Sequence, residues 1–265
     1  LLIIAFAILF IVLACSIFKW HPFLALLVAA LGTGIAVGLP LKDIAKTAND
    51  GFGQMMTHIG LVVIMGTLIG TVLEKTGATL RIADAIISLF GKSRPIFAIT
   101  VIGAIVGIPI FCDSGFIILN GLTKPLSKES NKSYTAIVSG LAGGLYITHS
   151  LLPPHPGALA GAANLGLGQH LGMVIMTGLL ISVPTTIICW LFASRILTRN
   201  VSPEIDGAIP PGIAHQLPDL WKAVLPVAVP LLLIAAGSLA DLVQMSPSLK
   251  NGLHFLGSPV IALLT

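Results

Sequence analysis

From Ser133 to Ser194 the chain runs 62 residues without one Asp, Glu, Lys or Arg, bounded by Lys132 and Arg195. At about 1.5 Å per helical residue, that is enough to cross a ~30 Å hydrocarbon core twice. A stretch so poor in charge has no place in a soluble domain. Near its middle, Thr148-His149-Ser150-Leu151-Leu152-Pro153-Pro154-His155-Pro156-Gly157 sets three prolines and two histidines where a plain span would be uniformly apolar. Proline lacks a backbone donor and clashes with the preceding turn, so a helix entering this segment breaks there. Broken backbone at membrane depth is tolerated only against protein or a wet cavity, the setting in which transporters bind solutes.

The rest of the chain agrees. Charged residues make up 9% where a soluble protein has about 25%, hydrophobic residues reach 55%, and the mean hydropathy is +1.01. The apolar runs are continuous rather than alternating, which excludes a transmembrane β-barrel and leaves an all-α polytopic membrane protein with discontinuous or re-entrant helices. The net charge of +4 is scattered between spans and makes no nucleic-acid face. Cys15, Cys112 and Cys189 lie in apolar stretches, which argues against a disulfide framework. No Walker motif is present, so ATP hydrolysis is not expected.

Spans are predicted over 1–18, 23–37, 58–73, 95–123, 134–152, 171–194 and 222–240, with a further one beginning near 257. Residues 40–57 are too polar to span and either lie along the interface or link two spans; 79–90, where Arg81 and Asp84 share a helix face three residues apart, reads as a short amphipathic helix, interfacial or re-entrant. The 29 residues between Arg94 and Lys124 would make about 43 Å of helix, too long for one crossing, and Gly107-Ile108-Pro109 allows a break near the middle. Residues 124–133 read as a loop. We divide the chain into an N-terminal transmembrane repeat of about six spans (1–197), a polar connecting loop (198–221) and the start of a C-terminal transmembrane half (222–265). Lys and Arg alternate eight against six, favouring the loops at 40–57, 124–133 and 195–222 as cytoplasmic. The chain opens without Met and ends inside an apolar run, Pro259 to Thr265, so a longer native protein is expected.

Asp113 falls four residues from the midpoint of the Arg94–Lys124 stretch. An ionised Asp near the bilayer centre costs roughly 2.5–3.5 kcal/mol, so it is either protonated or faces a polar cavity, and a proton-coupled carrier exploits both states. The competing reading is an interfacial acid on a shorter span. The Thr148–Gly157 segment offers hydroxyls, two imidazoles and exposed backbone, and half-helix N-termini favour anions; without a ligand it is a sharp surface loop. A zinc site is disfavoured because His149 and His155 stand six apart across two prolines. The glycine pairs Gly34/Gly38, Gly66/Gly70, Gly103/Gly107 and Gly140/Gly144 predict close helix packing.

Phe111-Cys112-Asp113-Ser114-Gly115-Phe116, Thr148-His149 with Pro153-Pro154-His155-Pro156-Gly157, and His21-Pro22-Phe23-Leu24-Ala25-Leu26 together resemble the gluconate permease family of proton symporters. The Pro-Pro-His-Pro-Gly element is the most specific mark, and the likeness extends in order through the chain. The resemblance implies import of gluconate, a related sugar acid or D-serine with a proton across the bacterial inner membrane. It also implies one half of an inverted-repeat secondary transporter, with the partner half outside this chain. The family commonly has Glu where Asp113 stands.

The combined reading is a secondary carrier of a small hydroxy-carboxylate. Asp113 is assigned to proton coupling, and Ser114, Gly115, Thr148, His149, Ser150, His155 and Gly157 to substrate binding. The coupling ion is a proton, and no cofactor or metal is expected. The partners are the organic anion and the lipid bilayer, not nucleic acid; homo-oligomerisation is left open. The alternatives are an uncoupled organic-anion facilitator or channel, a D-serine carrier, and, last, an intramembrane enzyme.

Overall fold

The computed structural model describes residues 1–91, 93–168, 170–197, 217–240 and 246–265. It is all-helical among those residues, with twelve α-helices and one turn of π-helix. Most of the proposed connecting loop lies outside the described residues, which resume at Leu217. The chain divides into two compact units, Leu1–His58 and Ile59–Thr265.

In the first unit α1 (Leu2–Ser16) and α2 (Pro22–Ala36) form a hairpin. Lys19 turns the chain with φ 55°. His21 then caps α2, its Nδ1 accepting from the Phe23 amide at 3.3 Å, with Pro22 at the first helical position where its missing N–H costs nothing. Each helix has 15 residues, about 22 Å, so the spans expected at 1–18 and 23–37 are shorter than the ~30 Å core. Of the predicted pair Gly34/Gly38 only Gly34 packs, against Ile44; Gly38 has φ +80° and nothing beside it, so it serves the turn into α3 (Leu41–Lys75).

The second unit begins within α3, at Ile59. Gly77, with φ 73°, turns the chain into α4 (Ala78–Ile86) and the π turn Ile87–Gly91. The long stretch after Arg94 is two helices, α5 (Pro95–Val106) and α6 (Cys112–Ser130), as Gly107-Ile108-Pro109 anticipates. The loop expected from 124 is instead the last turns of α6, which carries Pro125 in its interior and stops where Asn131 turns left-handed. Ser133 caps α7 (Tyr134–Leu151), and the proline segment separates α7 from α8 (Pro156–Asn164). There follow α9 (Leu171–Arg195), α10 (Leu220–Leu239), α11 (Pro247–Leu256) and α12 (Pro259–Ala262). Helix α11 was not anticipated; Ser246-Pro247 at its start is the sequence signal for it.

Helix α7 is the hub, packed against α5, α6 and α9. Its seam with α5 is made by glycine. A Cβ on Gly103 would stand 2.5 Å from the Leu141 carbonyl oxygen, one on Gly140 2.6 Å from Thr100 Oγ1, and one on Gly144 would overlap the Thr100 carbonyl. Without a hydrophobic force between helices in lipid, such close backbone approach is what holds them together. Thr100 is buried and back-bonded to the Ile96 carbonyl at 2.7 Å, so its hydroxyl adds no unpaired group to the seam. Ile99, Ile102, Leu119, Ile137, Leu141 and Leu145 complete a fully buried core around it.

Among the described residues, Tyr134–Asn164, Leu171–Arg195 and Leu220–Leu239 are long and apolar enough to cross a membrane. The two parts of α3, Leu41–Thr57 and Ile59–Lys75, pass the same test as a pair. Large apolar side chains cover the outside of α9, including Leu180, Val183, Ile188 and Phe192, as hydrocarbon surroundings allow.

Candidate functional site

The two breaks meet. The first, 107–111, lies between α5 and α6, and the second, 152–155, between α7 and α8. Phe111 is the N-cap of α6 and His155 the N-cap of α8, and their rings pack edge to face with centroids 5.6 Å apart. The ring of His149, in the last turn of α7, lies 4.1 Å from that of His155 and 5.8 Å from that of Phe111. Tyr146, one turn back on α7, closes the other side at 6.4 Å. Sequence reasoning missed Phe111 and Tyr146. The spacing of Tyr146 to His149, three residues on one helix, was the available signal.

Each break exposes a helix N-terminus. The first intrahelical amide of α6 is that of Gly115, bonded to the Phe111 carbonyl, and that of α8 is Leu159, bonded to His155. The amides of Cys112, Asp113 and Ser114, and of Gly157 and Ala158, precede them and have no partner within their helices. Both N-termini therefore present donors and partial positive charge, the arrangement that receives a carboxylate.

Asp113 sits in the first turn of α6, exposed, with the Cys112 thiol donating to its Oδ1 at 3.7 Å. Ser114 is half-buried beside it. Gly115 is a packing position, since a Cβ there would meet Leu145 Cδ2 at 2.8 Å. Thr148 and His155, each only 2% exposed, turn toward Gly107. The His155 Nε2–H donates to the Gly107 carbonyl at 2.7 Å, and a Cβ built on Gly107 would lie 2.5 Å from Thr148 Oγ1. His149 is half-buried, and its Nδ1, like Thr148 Oγ1, is buried with no hydrogen-bond partner. Ser150 and Gly157 are exposed, and no hydrogen bond among the described residues joins their side-chain positions to the cluster.

On the proline side of the breaks lies an apolar cavity of about 30 Å³, walled by Pro109, Pro153, Pro154, Pro226 and Pro230 among others. It has room for about one water-sized molecule, too little for a sugar acid, and none of the polar cluster lines it. Among the described residues no group of three His, Cys, Asp or Glu is placed to hold a metal.

Comparison with known proteins supplies the family. The model of the GntP family permease matches residues 1–265. The chain is similar to a gluconate permease of Pseudomonas aeruginosa, 31% identical over 253 residues, covering 93% of this chain and 56% of that protein. It is similar to the high-affinity gluconate transporter of Escherichia coli, 28% identical over 272 residues, covering 100% of this chain and 60% of the transporter. The Gnt-II system L-idonate transporter of the same organism is 27% identical over 266 residues, covering 99% of this chain and 60% of its own length. The chain thus spans between 56% and 60% of the length of these relatives. No solved structure matches. With its all-helical architecture and membrane-length apolar helices, this is a multi-pass protein of the bacterial inner membrane, and it belongs to the GntP family of permeases.

Proposed function

We propose that this chain forms part of a secondary carrier that imports gluconate or a closely related sugar acid together with a proton. The observation that carries the reading is the contact of Phe111 with His155, which brings two half-helix N-termini together beside Asp113 and His149. Relatives named for gluconate and for L-idonate support the substrate class.

The coupling follows from charge. The unpaired amides of α6 and α8 favour one negative charge, and Asp113 already supplies one at the start of α6. A substrate carboxylate arriving there would repel it. Two like charges about 4 Å apart at an effective dielectric near 20 cost roughly 4 kcal/mol, or about a thousandfold in affinity. Protonating Asp113 removes that cost, so proton and anion bind together and cross as a less charged unit. Ser114 and the amides of the first turns then hold the carboxylate, while the buried, unpartnered Nδ1 of His149 meets a hydroxyl of the sugar acid as it enters.

The test is uptake of labelled gluconate into proteoliposomes holding the full-length permease, with and without an inward proton gradient. Wild type should accumulate gluconate only with the gradient, and Asp113→Asn should abolish accumulation. Gradient-independent equilibration, unchanged in the mutant, would make the protein an uncoupled facilitator instead.

A further inference from the structure

We infer that His155 is a positioning residue rather than a substrate ligand: with Thr148 it fastens the two helix breaks together through Gly107, so that the N-termini of α6 and α8 move as one body. The inference rests on the carrier reading above for its transport consequences, but its geometry stands apart from it.

Gly107 is the C-cap of α5, and the carbonyls at a helix C-terminus have no intrahelical donors. In hydrocarbon an unsatisfied carbonyl costs several kcal/mol, so a partner must be found within the protein. His155, 48 residues away in sequence, supplies it at 2.7 Å. A peptide carbonyl only accepts, so Nε2 carries the hydrogen and the tautomer of His155 is fixed. Thr148 holds the same residue by contact: its hydroxyl lies where a side chain on Gly107 would begin, and it has no hydrogen-bond partner that would turn it elsewhere. Only glycine at 107 lets α7 come this close.

With Nε2 engaged and the residue 2% exposed, His155 has little surface to offer a substrate. What it offers is a wall. Its ring lies against His149 and against Phe111, and so fixes the plane of the His149 imidazole, whose Nδ1 has no hydrogen-bond partner. His155 also begins α8, as Phe111 begins α6. Releasing Gly107 would therefore loosen both N-termini and the His149 ring at once.

The experiment uses the full-length permease in lipid, with ¹⁵N-labelled histidine, read by solid-state NMR with and without saturating gluconate. Resonances are assigned from His155→Gln and His149→Gln. We expect His155 to keep one neutral, Nε2-protonated signal in both states while the His149 signal moves with gluconate. In uptake assays His155→Ala should lower the maximal rate about 100-fold, the order of loss a misplaced site suffers, with the KM changed far less. His155→Gln, which can still donate to the Gly107 carbonyl, should restore the rate to within about tenfold of wild type. A His155 signal that shifts with gluconate while His149 stays still, or His155→Ala raising KM at an unchanged maximal rate, would overturn the inference. Should His155→Ala fail to fold, the wild-type spectra decide alone. Should wild type neither bind nor transport gluconate, the carrier reading falls, and the tautomer of His155 in the ligand-free spectrum still decides whether it fastens Gly107.

Discussion

Gly66 of α3 rests directly on Pro154: a Cβ on Gly66 would stand 2.5 Å from Pro154 Cγ and 2.7 Å from its Cβ. One turn on, Gly70 meets the first break in the same way, with a Cβ falling 2.7 Å from the Pro109 carbonyl oxygen. The glycine pair of α3 thus presses one smooth helix face against both helix breaks.

A proline ring cannot swing aside as a long side chain can, so Gly66→Ala must move either α3 or the second break. Overpacking of this kind costs typically 1–3 kcal/mol. We expect Gly66→Ala to lower the melting temperature of the detergent-solubilised permease and to reduce uptake at least about tenfold. Gly53→Ala, where nothing lies within 4 Å of the added carbon, should leave both unchanged or raise stability slightly. Equal effects of the two substitutions would contradict the contact.

The α5–α7 seam makes a sharper case, because there the obstacle is backbone. A Cβ on Gly144 would overlap the Thr100 carbonyl and lie 2.8 Å from the Ala104 amide, and neither can give way without parting the helices. Gly144→Ala should therefore fail to yield a monodisperse protein on size-exclusion chromatography. Gly121→Ala, on α6 with open space beside it, should behave as wild type. A well-folded Gly144→Ala protein would show that the seam is looser than described.

Much of this was legible in the sequence, and the limits have a physical cause. Proline and glycine act locally, so Gly107-Ile108-Pro109 and Pro153-Pro154 announced the two breaks, and the spacing of four announced glycines facing another helix. Which helix they face depends on contacts between residues far apart in the chain. Nothing local to Gly66 points to Pro154, and nothing local to His155 points to the Gly107 carbonyl. The same limit applies to His155 and Thr148: a polar side chain in an apolar stretch signals a demand for a partner, and only the fold shows that the Gly107 carbonyl meets that of His155 while Thr148 Oγ1 has none. Gly38 misled for the opposite reason. It matched the pair spacing, while its positive φ, a backbone property, was what the turn required.

At the start of α10, Asp219, just outside the apolar span, and Lys222 in its first turn form an ion pair at 2.8 Å. The hydrogen bond from Lys222 holds the Asp219 carboxyl below the ordinary carboxylate range, helped by the charge of Lys222 and then by that of Arg81 on α4. A depressed folded-state value means that the pair stabilises the protein above the unfolded value of 3.8, and that this contribution is lost as pH falls through the folded one. Both partners are exposed, so the effect is small and screened by salt. Asp219→Asn keeps a good N-cap residue and removes only the charge. Its melting temperature should lie slightly below wild type at pH 6 and low salt, with the gap closing toward pH 3 and in molar salt. A gap constant over pH would assign the effect to something other than the ion pair.

His149 separates packing from chemistry most cleanly. Its ring contributes contacts to His155, Phe111 and Tyr146, and its unpartnered Nδ1 contributes a polar valence. His149→Phe keeps an aromatic ring and removes both nitrogens, so the packing survives and the polar contact does not. If that nitrogen meets a sugar-acid hydroxyl or carboxylate, its loss is worth about 1.5–3 kcal/mol, the range for a hydrogen bond to a charged group. The expected outcome is a 10- to 100-fold rise in KM for gluconate, approximately, with accumulation still dependent on the proton gradient because Asp113 is intact. Loss of gradient dependence in His149→Phe would instead place His149 in the proton step together with Asp113. An unchanged KM would move the substrate away from α7 and toward the exposed amides of α6 and α8 alone.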